Sequence, residues 1–110
     1  YTSGLTARPA GDPIVLETSA EVSHVHGAIS MARTAEPDTA TSQWFIVDWP
    51  ETGTPPQPAQ LDGDYAAFGV LIEGFDVLAA ITQVAVHDEP DLQLNDVPDV
   101  EIVVTSATRR

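Results

Sequence analysis

The sequence predicts a mainly β fold, an antiparallel sheet or barrel with one short helix. Three observations carry this. Four or five short segments alternate apolar and polar residues with period two; the loops between most of them are too short for crossover helices; and only one segment has helical spacing. At 110 residues and 43% hydrophobic content the chain fits one small domain.

Each element follows in order. Residues 1–12, rich in Gly, Pro and Thr, read as loop. A short strand is expected at 13–17, restricted by Pro13 to an edge or a strand start. A second is expected at 28–32, with Ile29 and Met31 on one face and Ala28, Ser30 and Ala32 on the other. The polar run 34–42 is loop, and "QWFIVDW" returns to strand. There Trp44 and Ile46 make a credible core face, leaving Gln43, Phe45 and Val47 outward; burial of both faces is an equally open reading. Between Asp48 and Gln60 four of the nine prolines fall within nine residues, which excludes a ladder and predicts an exposed loop. A strand is expected at 65–72, a helix of about two turns from Phe75 through Leu78, Ala79 and Ile81, an acidic loop over 87–99 and a closing strand at 100–106. A closed small barrel wants more strands than these.

Four Arg and no Lys stand against 17 Asp and Glu, a net charge of −13. Nucleic acid is thereby disfavoured as a partner, because phosphate binding needs a positive patch. The absence of Cys removes disulfides, thiolate metal sites and cysteine nucleophiles. No apolar run approaches the ~20 residues that cross a bilayer. A soluble protein is expected, the Lys-free and Cys-free composition leaning slightly toward the periplasm. His24 and His26 supply a fragment of a zinc site and read as ordinary exposed histidines, so no metal or other cofactor is expected. Ser30 or Ser42 has no sequence context that would make it a nucleophile. An outward Gln43 and Phe45 would instead present an amide beside an aromatic ring, a shallow apolar socket with a polar rim.

The blocks "GAISMARTAEPDTATSQWFIV" and "LDGDYAAFGVLIEGFDVLAAI" resemble the cyclophilin-type peptidyl-prolyl cis-trans isomerases, especially small bacterial forms, with the likeness running from Pro13 to Ala107. The resemblance implies a closed eight-stranded barrel capped by helices, of which residues 1–110 are the carboxy-terminal portion, with 48–60 a proline-rich insertion. It also implies a groove for proline-containing peptides and unfolded protein clients in a monomer. In that groove Phe45 lines the proline pocket, Gln43 contacts the peptide backbone, Ala32 and Arg33 pair with it through their main chain, and Leu61 and Tyr65 complete the wall. Phe68 aligns with a core aromatic, and Gln60 stands where the family has an aromatic. Family members carry "FHR" and "IQGGD" segments, and Tyr1 aligns with the aromatic that usually follows the second of these. The resemblance therefore sets the catalytic arginine, which belongs to the first segment, upstream of Tyr1. No catalytic residue is assigned within this chain, which is expected to be a fragment with weak or no activity. The rival expectations are a non-catalytic module that binds proline peptides and a structural domain whose open sheet edge pairs with a partner.

Overall fold

A computed structural model describes residues 6–49 and 59–109. Five strands occur there: β1 (Ala28–Met31), β2 (Trp44–Ile46), β3 (Ala67–Val70), β4 (Val86–Glu89) and β5 (Leu94–Pro98), with one helix, α1 (Phe75–Thr82). They form two antiparallel sheets, β2-β1-β3 and β4-β5. The class is mainly β, and neither sheet closes among the described residues, so a complete barrel is not what they build.

The larger sheet is organised around β1. Ile29 pairs with Ile46, Ser30 with Phe45 and Met31 with Trp44, so Phe45 shares the Ser30 face and Trp44 the Met31 face. The expected faces are both present, but their burial differs from expectation. Ala28, Ser30 and Val47 are almost fully enclosed, whereas Trp44 is 48% exposed. The Phe45 face is thus the better covered one, because His24 and Tyr65 lie against it. On the other side of β1, Ile29 pairs with Gly69 and Ser30 with Ala67, leaving Phe68 as an extra residue. That bulge turns Phe68 to solvent, at 58% exposure, where a core aromatic was expected.

Gly27 enters β1 under tight constraints. Its N–H donates to Val47 O and its carbonyl accepts from Leu71 N, both at 2.8 Å, while φ is +84°. A Cβ there would lie 2.8 Å from Cε1 of Phe75, which leaves no room for a side chain. α1 follows Gly74, itself at φ +89°, buries only Leu78 and carries Asp76 in its first turn, where a carboxylate suits the helix dipole.

Three expected elements take a different form. Around 13–17 the only pairing is an isolated bridge from Ile14 to Ala40. The acidic segment expected to be loop contains β4 and β5, joined by a 3₁₀ turn at Pro90–Leu92, with Gln93 and Asp96 in the left-handed region at φ 55° and 54°. The segment expected as a closing strand forms no ladder, and Val100, Ile102, Val103 and Val104 are exposed. β propensity makes a strand only where another strand accepts its backbone. Two expectations fall on residues that are not described. Tyr1, the position upstream of which the family arginine is expected, lies outside the described residues. The insertion at 48–60 lies largely outside them as well; its end forms a 3₁₀ turn at Ala59–Leu61.

Candidate functional site

The site is built where β1 and β2 run into loops. Ala32 N donates to Gln43 O at 2.9 Å, extending the β1–β2 ladder by one bond and fixing the mouth of the loop between them. That loop has no glycine and is held by side chains instead. Thr34 and Thr39 share a hydroxyl contact at 2.9 Å, Thr39 Oγ1 donates to Glu36 O, and Asp38 Oδ1 accepts from Leu16 N. Asp38 takes the left-handed conformation, φ 59°, that such a turn requires and that Asp tolerates.

The 3₁₀ turn brings a second segment to the same place. Leu61 O accepts from Asp64 N and Tyr65 N, winding the backbone so that Tyr65 returns toward β2. There Tyr65 meets Phe45 edge to face, with centroids 5.8 Å apart at 86°. Arg33 covers the other side: its guanidinium carbon lies 4.7 Å from the Tyr65 centroid. Its Nε donates to Asp64 O at 2.6 Å, and Nη1 donates to Thr34 O and Ala35 O.

Of the six residues singled out from sequence, Phe45, Tyr65 and Arg33 are joined by ring contacts, Ala32 and Gln43 by a main-chain bond, and Leu61 through the turn that carries Tyr65. Gln43 is exposed and the other five are half-buried. A separate apolar cleft of about 250 Å³ is lined by Ile14, Leu16, Met31, Ala67 and Phe68; it shares Arg33 but none of Gln43, Phe45 and Leu61.

Sequence reasoning missed what lies behind Phe45. His24, expected to be exposed, is 1% exposed, and its ring stacks on Phe45 with centroids 6.3 Å apart at 12°. Nδ1 donates to Asp62 Oδ1 at 2.7 Å, the same oxygen accepts from His24 N at 2.8 Å, and Nε2 lies 2.9 Å from Ser30 Oγ. A carboxylate only accepts, so Nδ1 carries the proton, and in the neutral ring Nε2 accepts from the Ser30 hydroxyl. These bonds to His24 hold the Asp62 carboxyl below the usual carboxylate range. Ser30 is fully enclosed, which keeps its hydroxyl from any substrate and excludes nucleophilic use of this Ser–His–Asp chain. No sequence spacing signals the group, since His24 and Asp62 lie 38 residues apart.

His26 differs from His24. Its Nδ1 accepts from Trp49 N at 3.1 Å and its ring leans on Phe75. Among the described residues no three His, Asp or Glu side chains are grouped to hold a metal ion. Nor is any helix among them long and apolar enough to cross a membrane.

Residues 2–109 match the family of cyclophilin type peptidyl-prolyl cis-trans isomerases. The chain is 34% identical over 107 residues to peptidyl-prolyl cis-trans isomerase A of Dickeya dadantii, covering 97% of this chain and 54% of that protein. It is 30% identical over 110 residues to peptidyl-prolyl cis-trans isomerase B of Escherichia coli, covering 98% and 65%. A peptidyl-prolyl cis-trans isomerase of Acinetobacter baylyi is 33% identical over 84 residues, covering 76% and 44%. The chain thus spans about half to two-thirds of the length of these relatives.

Proposed function

Because the chain belongs to the cyclophilin-type peptidyl-prolyl cis-trans isomerase family, we propose that the protein accelerates rotation about X-Pro bonds in peptides and unfolded proteins. In this reading the Phe45–Tyr65 corner is one wall of its groove. The observation that supports it most is the convergence of the β1–β2 mouth and the 61–65 turn on that corner. The relatives are isomerases by name, which favours turnover over a binding-only module.

The chemistry needs no bond to break. The peptide C–N bond resists rotation by ~18–20 kcal/mol, and uncatalysed exchange at proline takes about tens of seconds. A rate gain of roughly 10³ to 10⁵ requires the twisted amide to be stabilised by about 4 to 7 kcal/mol over the planar one. Phe45 and Leu61 grip the pyrrolidine ring, while the main chain of Ala32 and Arg33 holds the residues flanking it. A donor to the pyramidalising prolyl nitrogen supplies the remainder. Arg33 is poorly placed for that role, its guanidinium being tied to three main-chain carbonyls. Arg8 and Arg109 lie in exposed segments without regular structure. By resemblance to the family, that donor is the arginine of its "FHR" segment.

A protease-coupled isomerisation assay tests this. In the active protein Phe45→Ala is expected to lower kcat/KM by about tenfold or more; an unchanged rate removes Phe45 from the groove.

A further inference from the structure

Buried imidazoles with both ring nitrogens engaged usually serve the fold, but the placement of His24 ties two halves of the groove together. One edge of the ring is fixed to Ser30, which pairs directly with Phe45 across β1 and β2. The other edge is fixed to Asp62, the residue after Leu61 and three before Tyr65. The ring plane itself lies nearly parallel to Phe45. Phe45 and Tyr65 come from segments 20 residues apart in sequence; β1 carries both, pairing Ser30 with Phe45 and bonding Met31 N to Ala66 O, and the Asp62 contact adds a tie at the Leu61 end of the turn. Asp62 is well suited to holding that end, since one carboxylate oxygen accepts from both the ring and the backbone N–H of His24 at 2.7 and 2.8 Å.

We propose that His24, clamped between Ser30 and Asp62, is the positioning residue of the groove, setting Phe45 against Leu61 and Tyr65. This rests on the reading of the Phe45–Tyr65 corner as the proline site. His24 touches no substrate; it acts through the ring it backs and the turn it holds. What the clamp's geometry needs is an acceptor at position 62, and an amide oxygen there can accept both His24 donors as the carboxylate does. Asp62→Asn therefore preserves the arrangement, and Asp62→Ala releases the turn.

Two readouts in the active protein separate the possibilities. In the isomerisation assay Asp62→Ala is expected to lower kcat/KM by about tenfold, since misplacement on the order of 1 Å suffices for such losses, and Asp62→Asn to recover most of it. In nuclear magnetic resonance spectra without peptide, Asp62→Ala is expected to shift the ring signals of both Phe45 and Tyr65, and Asp62→Asn to leave them near wild type. A bridge serving only the fold would lower the unfolding midpoint while leaving those ring signals and kcat/KM unmoved, and that result overturns the proposal. Equal impairment by Ala and Asn overturns it too, because charge would then be the active property. If Asp62→Ala does not fold, Asp62→Ser, too short to span both bonds, provides the same contrast. If wild-type protein turns over no X-Pro peptide, the isomerase reading fails while the ring signals still decide the clamp.

Discussion

The two sheets are held by different physics. In β2-β1-β3 the centre is closed: Ala28, Ser30, His24 and Val47 are nearly or wholly enclosed, and among the described residues no buried side-chain polar atom lacks a partner. In β4-β5 no residue is buried, and beside the ladder the strands carry exposed side-chain contacts centred on His87. His87 Nδ1 bonds Asp99 at 2.6 Å and Nε2 reaches Glu89 at 3.1 Å. The same residue type is thus an interior spacer in one sheet and a surface tie in the other. The difference teaches where positional precision comes from: enclosed, fully paired polar groups fix positions that solvent-screened ion pairs leave loose.

Substitution breaks this comparison most sharply at the histidines. His24→Ala strands the Ser30 hydroxyl and the Asp62 carboxylate and opens a void, and is expected to cost about 3 kcal/mol in urea unfolding. His87→Ala, at a solvent-exposed site, is expected to leave the global midpoint unchanged. Equal effects from the two would erase the distinction. Gly27→Ala comes next, at about 2 kcal/mol, combining a left-handed φ with the Phe75 contact; a neutral result would mean that the Phe75 ring moves aside freely.

The smallest effect is a difference in pH response, read by hydrogen exchange corrected for intrinsic rates. Asp99 and Glu89 raise the His87 pKa above its ordinary value, chiefly through their hydrogen bonds. Its contribution is therefore full below about pH 6.5, the unfolded value, and is lost as pH rises through the raised one. Asp62 runs the other way: its pKa is lowered, so its contribution is present above about pH 3.9 and disappears only as pH falls through the depressed value. Amides of β4-β5 are expected to lose protection from weakly acidic to mildly basic pH while those of β1 hold. Parallel loss in both sheets would contradict the assignment.

Those contrasts also mark what the sequence could convey. The faces of β1, the position of α1 and the glycine-free loop were legible because period and composition act locally. Gln43 and Phe45 were singled out from strand alternation, and Ala32, Arg33, Leu61 and Tyr65 from the resemblance, whose motif order survives without any knowledge of packing. The β4-β5 hairpin was not legible: its strands, "VHDE" and "LNDVP", are too polar for an apolar alternation, and their ladder is shaped by a bulge, a side-chain tie and two left-handed residues. The opposite error arose at 100–106, where "VEIVV" has strong β character but finds no described strand to pair with. His24 escaped for a third reason, since burial of a lone histidine depends on a partner 38 residues away.

The central claim, that proline peptides bind at the Phe45–Tyr65 corner, is tested most directly by amide chemical-shift mapping during titration with an X-Pro peptide. The account predicts shifts concentrated at Ala32, Arg33, Gln43, Phe45, Leu61 and Tyr65. Shifts confined to Ile14–Glu17 and Phe68, which border the apolar cleft, would contradict it.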